Sequence, residues 1–398
     1  MPSESVTLGS ASPVADVEVI ALEAGRNPHD CDGTTETVVI RLTDERGRVG
    51  VGEADAPAGV VRAFVEMADL HIWSRGLRGL LLGADPFPIP ALWERLYEGS
   101  IYPGRRGAGI HAISAIDIAL HDLVGKQLGR PAYELLGGPR REKLAPYATL
   151  FPGMPQGRAI RELITDLDRR IDRALELGFR GVKVEVMFED LLDDRELAAV
   201  IVAARRRLGE GPHLLIDFGY RWHDWRAALR TLELAAEADL YLAEATLQHD
   251  DLDGHARLAQ RAPTRIGGAE FAATRHECRE WLERGRVDML QPDPNRAGGL
   301  TEMRRICELA ADRGAGVIPH GWKTGITVAA NIHLHAAMAN VPRFELVSPE
   351  LWGSALRREL TTPEPKLVDG WMALPDTPGL GIELDEDAVA RYRIDTRT

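Results

Sequence analysis

Three carboxylates constrain this chain more than any other feature. The segments LLID (214–217), YLAEA (241–245) and GGAE (267–270) are short apolar or small-residue runs that carry Asp217, Glu244 and Glu270 at or near their ends. The first two acids are 27 residues apart and the next two 26. Such a run reads as a buried strand, and such an interval holds one helix and two loops. The three acids are therefore expected at the same end of three neighbouring parallel strands. Carboxylates gathered there repel one another unless a cation lies among them. A hard divalent ion, Mg²⁺, is the expected occupant, because it takes oxygen ligands and keeps positions open for a substrate.

The strand–helix alternation extends both ways from this stretch. Strands are read at 144–150, 181–186, 214–219, 241–245, 264–270, 287–293, 316–320 and 344–347, with amphipathic segments such as 160–179 and 300–314 between them. Eight strands alternating with helices predict an α/β fold of TIM-barrel type. No clear helix follows the eighth strand. The proline-rich tail, 361–398, is expected to fold back, leaving a modified (β/α)7β barrel over 141–360. Ahead of it, 1–140 reads as an α+β capping domain joined by that tail. Residues 14–24 and 35–55 alternate as strands, the second carrying the turn DERG at 44–47. Helical periodicity follows at 59–82, 88–99 and 107–129. His111 and His121 on the last of these read as satisfied helix histidines. The polar loop 26–33, with His29, Asp30, Cys31 and Asp32, reads as a mobile loop rather than a metal cluster. Arg105 and Arg106 either meet an anionic substrate or flank a helix start.

Composition removes several function classes. The net charge of −13 argues against an electrostatic grip on nucleic acid, and the run Arg205–Arg207 reads as a solvated helix face. Three scattered cysteines without a CxxC point to a reducing compartment. The N-terminus lacks a basic start and an apolar core, and no apolar run approaches the length of a membrane span. A cytoplasmic protein with no membrane partner is expected.

In a barrel the chemistry sits where the strands end. The polar residues there are Lys183 and Glu185, Asp217, Glu244, Glu270, Asp293, His320 and Glu345. One Asp at a strand end is more often the cap of the next helix; seven successive strands delivering ionisable groups to one level is a site. Asp217, Glu244 and Glu270 are assigned to Mg²⁺, whose free positions suit a substrate carboxylate, alone or with an α-hydroxyl. Lys183 would face that carboxylate, and Glu345, if protonated, would hydrogen-bond to it. Charge that develops when the neighbouring C–H proton leaves then falls on oxygens already held by metal and donors. His320 is the candidate base and Asp293 its orienting partner, the alternative being a buried structural pair.

These residues resemble the enolase superfamily, specifically its mandelate-racemase branch, over nearly the whole chain. The resemblance rests on Lys183-Val-Glu185, the triad Asp217/Glu244/Glu270, Gln291-Pro-Asp293 followed by Gly298-Gly299, Pro319-His320, and Glu345. It implies Mg²⁺ binding, removal of the proton α to a carboxylate, and a homo-oligomer. Two departures from the family pattern stand out. A second base lysine on the strand of Lys183 is replaced by Glu185, which argues against two-base racemisation and leaves one-base chemistry by His320. An Asn two residues past the first metal ligand is replaced by Gly219, which leaves Tyr220 or Trp222 to shape the pocket. One-base reactions in this branch are mostly dehydrations of sugar acids, so dehydration of an aldonate or aldarate is the first expectation. Epimerisation or cycloisomerisation is the second, and non-catalytic binding of a sugar acid is the third. Glu185 would contact a substrate hydroxyl, act as a second acid, or pair with a neighbouring base. Trp322 and Lys323 are expected to line the pocket, and Glu53 and Tyr102 of the cap to set specificity.

Overall fold

The computed structural model describes residues 11–25, 35–154, 156–186 and 192–395. The loop at 26–33 lies outside the described residues. The cap opens with an antiparallel sheet in the order β1 (Val14–Glu23), β2 (Glu36–Asp44), β3 (Val49–Ala54). The turn between β2 and β3 forms because the Asp44 carboxylate accepts from the backbone N–H of Arg46 and Arg48, at 2.9 Å each. Helices Ala58–Glu66, Leu77–Leu81, Ile89–Ser100 and Ala108–Leu128 follow. The long helix expected over 59–82 is thus two short ones. Between them the Asp69 carboxylate takes Arg75 Nε at 2.8 Å and the backbone N–H of Gly76 at 3.0 Å, fixing a turn.

Helix Ala108–Leu128 is long and apolar enough to cross a bilayer, but 89% of its most apolar window is buried inside the protein. It is the cap's core helix. β3 lies directly on it, because Gly50 and Gly52 carry no side chain: a Cβ on Gly52 would stand 2.0 Å from the Ala115 carbonyl oxygen.

The barrel strands are β4 (Pro146–Leu150), β5 (Gly181–Glu185), β6 (His213–Asp217), β7 (Leu242–Glu244), β8 (Gly267–Gly268), β9 (Met289–Leu290), β10 (Gly316–Val317) and β11 (Phe344–Leu346). Every pairing among them is parallel, in the orders β11-β4-β5-β6-β7 and β8-β9-β10. A parallel bridge between Ala243 and Ile266 joins the two groups. A five-residue helix, Ala355–Glu359, follows β11 where none was expected. Beyond it the tail returns to the cap. The Ile394 N–H donates to Ala21 O at 3.0 Å, and the buried Asp122 carboxylate accepts from Val51 N at 2.9 Å and Leu380 N at 2.8 Å.

The barrel interior sets the height of the site. Tyr147, Leu215, Leu242, Met289 and Ile318 pack together as one buried apolar layer. Side chains along a strand alternate, so the residue two further on faces the same way. Two positions past that layer stand Thr149, Asp217, Glu244, Gln291 and His320. An apolar floor therefore carries a polar storey at the C-terminal strand ends.

Candidate active site

Register aligns the first acids. Glu185 pairs with Asp217 across β5–β6, and Asp217 with Glu244 across β6–β7. Beneath them Lys183, 1% exposed, gathers three carboxylates. Its Nζ stands 2.6 Å from Glu244, 2.9 Å from Glu345 and 3.7 Å from Asp217. Burial lowers the proton affinity of Lys183, but Glu244 and Glu345 outweigh it and hold its pKa well above the usual value. For Glu345, burial opposes ionisation, yet the Lys183 ammonium and His320 bring its pKa down to about 2. Glu345 accepts from the Thr149 hydroxyl and from the Gly321 N–H at 3.0 Å. With the Lys183 ammonium 2.9 Å away, Glu345 stands as an acceptor that fixes Lys183. Glu244 has the opposite balance. Burial, with Asp217 and Glu345 adding to it, pushes its pKa well above the usual value against the pull of Lys183.

His320 Nδ1 lies 2.6 Å from Asp293 Oδ2, and its Nε2 faces Glu270 Oε2 at 3.9 Å. Asp293 is fully buried, and its other oxygen accepts from Asn295 N at 2.7 Å. Burial lowers the affinity of His320 for a proton, but the Asp293 hydrogen bond and the Glu270 charge override it and raise the pKa to about 9. Glu270 also takes the Tyr220 hydroxyl, whose own pKa is pushed up by burial and by that carboxylate. Backbone strain concentrates here: Tyr220, Ala245 and Ala269 have φ of 61°, 49° and 87°. These non-glycine residues flank the three acids, and such strain is held where side chains must be aimed.

Among the described residues, no three His, Cys, Asp or Glu side chains stand in ready metal-ligating geometry. Asp217 and Glu244 do converge on one positive atom, Lys183 Nζ, whereas Glu270 turns to Tyr220 and His320. Glu270 is therefore not brought to the atom that Asp217 and Glu244 share. The donor set nevertheless fits a hard cation: Asp217, Glu244 and Glu270 all offer carboxylate oxygen.

The remaining expected residues divide. Trp322, 8% exposed, packs edge-on against Trp352 with centroids 4.5 Å apart, beside Thr149. Lys323 reaches the cap, donating to Glu36 O at 3.1 Å and Asp55 Oδ1 at 2.9 Å. Glu185 is buried on the Asp217 rung. Glu53 is corrected: it is fully buried and accepts from the hydroxyls of Thr37, Thr324 and Thr327, so its carboxylate ties cap to barrel and faces no substrate. Tyr102 is 76% exposed and its ring packs on His71. Arg106 approaches Glu280 at 3.5 Å.

Three participants were missed as site residues. Thr149 holds Glu345; Gln291, already quoted as part of a motif, donates to Glu244. The period-2 rule applied from Tyr147 and Met289 would have found both. Asp55, paired with Arg296 through Nε at 2.7 Å, had no signal, since the two lie 241 residues apart.

Known proteins resemble this chain in sequence and fold. The family model "Mandelate racemase / muconate lactonizing enzyme, N-terminal domain" matches residues 17–137, and "Enolase C-terminal domain-like" matches 166–388. An L-rhamnonate dehydratase of Saccharopolyspora erythraea is 34% identical over 370 residues, covering 90% of this chain and 86% of its own. A D-galactarolactone cycloisomerase of Agrobacterium fabrum is 32% identical over 371 residues, covering 90% and 91%. A crystal structure of a racemase from Streptomyces coelicolor with bound magnesium superposes with a TM-score of 0.81 at 27% identity, covering 96% and 100%. The chain belongs to the mandelate racemase / muconate lactonizing enzyme family of the enolase superfamily, with a capping domain ahead of an α/β barrel.

Proposed function

We propose that this protein is an Mg²⁺-dependent enzyme that removes the proton α to the carboxylate of a sugar acid, and that the reaction is dehydration to a 2-keto-3-deoxy acid. One observation carries the reading: His320, held by Asp293 at 2.6 Å, faces Glu270 with its other nitrogen at 3.9 Å. Asp217, Glu244 and Glu270 would hold the cation, which when bound supplies a Lewis acid for the substrate carboxylate. Lys183, kept charged by Glu345, donates to the same carboxylate and stabilises the charge that grows on it. His320 takes the α-proton at Nε2, and Asp293 at Nδ1 steadies the imidazolium. The same imidazolium then protonates the departing β-hydroxyl, so proton and hydroxyl leave together as water. Tautomerisation of the resulting enol gives the keto acid.

A second reading is cycloisomerisation, in which the proton His320 takes is returned and no water is lost. The L-rhamnonate dehydratase and the D-galactarolactone cycloisomerase match this chain over nearly equal lengths at nearly equal identity, so both stay in view. A non-catalytic binder would have no use for a base held by a buried carboxylate. Incubating the Mg²⁺-loaded protein with a panel of aldonic acids, aldaric acids and their lactones separates the three. A semicarbazide-reactive product lighter than its substrate by one water supports dehydration, a product of unchanged mass supports cycloisomerisation, and binding without solvent exchange supports the binder. We further propose a homo-oligomer. Leu70, Ile72, Trp73 and Tyr102 expose 57–77% of their surface on the cap, and a cluster of that kind marks an association surface. Light scattering at one molecular mass per chain would contradict this.

A further inference from the structure

Asp55 stands just past β3, two residues beyond Glu53, and so leaves the cap on the same side. Its carboxylate is shared by two cations of the barrel. Arg296 reaches Oδ2 through Nε at 2.7 Å and also through Nη2, and Lys323 reaches Oδ1 at 2.9 Å. These cations occupy equivalent places: Arg296 is three residues past Asp293, and Lys323 three past His320. One cap carboxylate therefore pins both loops that lead away from the base and its partner. His111 Nδ1, on the cap's core helix, meets the Asp55 backbone oxygen at 2.7 Å and closes the seam behind it.

The guanidinium is not fully used. Its side chain is 17% exposed, but Nη1 reaches neither solvent nor any acceptor among the described residues. The Phe271 ring, next to Glu270, lies 5.1 Å from the guanidinium carbon and covers one face of it. A buried charged donor without an acceptor is costly, and Asp55 already takes the other two nitrogens and Lys323. No described residue supplies that acceptor. A carboxylate is the charge-matched acceptor for a guanidinium, which only donates.

We infer that Arg296 binds the far carboxylate of the substrate, which makes the preferred substrate a sugar diacid rather than a monoacid, and that Asp55 is the positioning residue that aims it. This rests on the reading that the substrate is a sugar acid. The test uses the Mg²⁺-loaded full chain and pairs of aldarate and aldonate matched in configuration at every hydroxyl. The wild type should show a KM about 10- to 100-fold lower for the diacid, the range for one charge-assisted hydrogen bond. Arg296→Met should collapse that ratio toward one while the ratio of kcat values stays within about threefold. Arg296→Lys should restore part of the preference, and Asp55→Asn should lower it without abolishing turnover. Circular dichroism on each variant checks the fold; where Arg296→Met fails it, Arg296→Lys and Asp55→Asn carry the comparison. Equal KM for both acids in the wild type, or a ratio unmoved in the variants, overturns this inference and leaves the proposed function standing. Turnover of neither acid class overturns the functional reading, and this inference falls with it.

Discussion

His320 is the residue on which the chemistry turns. Its place two positions above Ile318 on the barrel wall follows from strand alternation, and its partner Asp293 from the neighbouring strand. Replacing it with Asn keeps the size and one donor but removes the base. His320→Asn should lower kcat about 10²- to 10⁴-fold, the usual contribution of a positioned base, with Mg²⁺ affinity by calorimetry unchanged. A drop confined to KM would contradict the assignment. The residues legible in the sequence were those whose chemistry is unusual at a strand end: Lys183, the three acids, Asp293, His320 and Glu345. Their ionisation states were not legible. Whether Glu345 is neutral or charged depends on Lys183 Nζ 2.9 Å away and on the Gly321 N–H, contacts between strands distant in sequence. Glu53 was misread for the same reason. A carboxylate at the end of a cap strand looks free until three threonine hydroxyls are found around it.

At the scale of elements, helix Gly325–Ala337 shows how burial sets a pH response. His333 and His335 are both fully buried on it and accept from backbone N–H groups, His333 from Tyr133 at 3.1 Å and His335 from Ala145 at 3.0 Å. Accepting requires the neutral ring, and burial lowers their pKa values from 6.5 to about 4 and about 3. Between those values and 6.5 the unfolded chain binds protons that the folded chain does not. This contribution to stability is therefore intact above pH 6.5 and is lost as pH falls toward 4. Urea midpoints should drop between pH 7 and pH 5, and the drop should be smaller in a His335→Gln variant that still folds. A second element-level prediction concerns the start of helix Gly299–Ala311, which follows the Asp293 loop. Gly299 has φ +76°, and a Cβ there would stand 2.5 Å from the Asp117 side chain. Gly299→Ala should destabilise by about 1–3 kcal/mol from strain alone, measured by denaturant unfolding. An unchanged midpoint would show that the helix start relaxes. The Gly298-Gly299 pair was visible in the sequence as a tight turn, but its fit against the cap helix was not, because no local pattern encodes a contact between domains. Strand ends were overestimated for a related reason. β8, β9 and β10 are two residues each in the ladder, and the remaining positions of each apolar run leave it to form the site.

The whole molecule depends on the cap being held to the mouth of the barrel. Glu53 carries much of that attachment. Its carboxylate accepts from Thr324 N and Thr327 N as well as from the hydroxyls of Thr37, Thr324 and Thr327, so a cap acid sits at the start of helix Gly325–Ala337. Glu53→Gln turns one acceptor oxygen into a donor among donors. It should destabilise the protein by about 1–3 kcal/mol and lower the melting temperature. No change in melting temperature would mean the hydroxyls rotate to compensate. The alternation of strand and helix announced the barrel, and the proline-rich tail announced its return to the cap, whereas the attachment itself lies in pairs such as Glu53–Thr327 and Asp55–Arg296, each more than 200 residues apart.

The central claim is that the strand-end acids and His320 form one site for removing an α-proton. Proton NMR in D₂O, with Mg²⁺ and the sugar-acid panel, tests it most directly. The account predicts loss of the α-proton signal with wild-type protein for at least one acid, and its persistence with His320→Asn or when the metal is chelated. An α-proton that stays in place with every acid, or that exchanges as fast in His320→Asn as in the wild type, would contradict it.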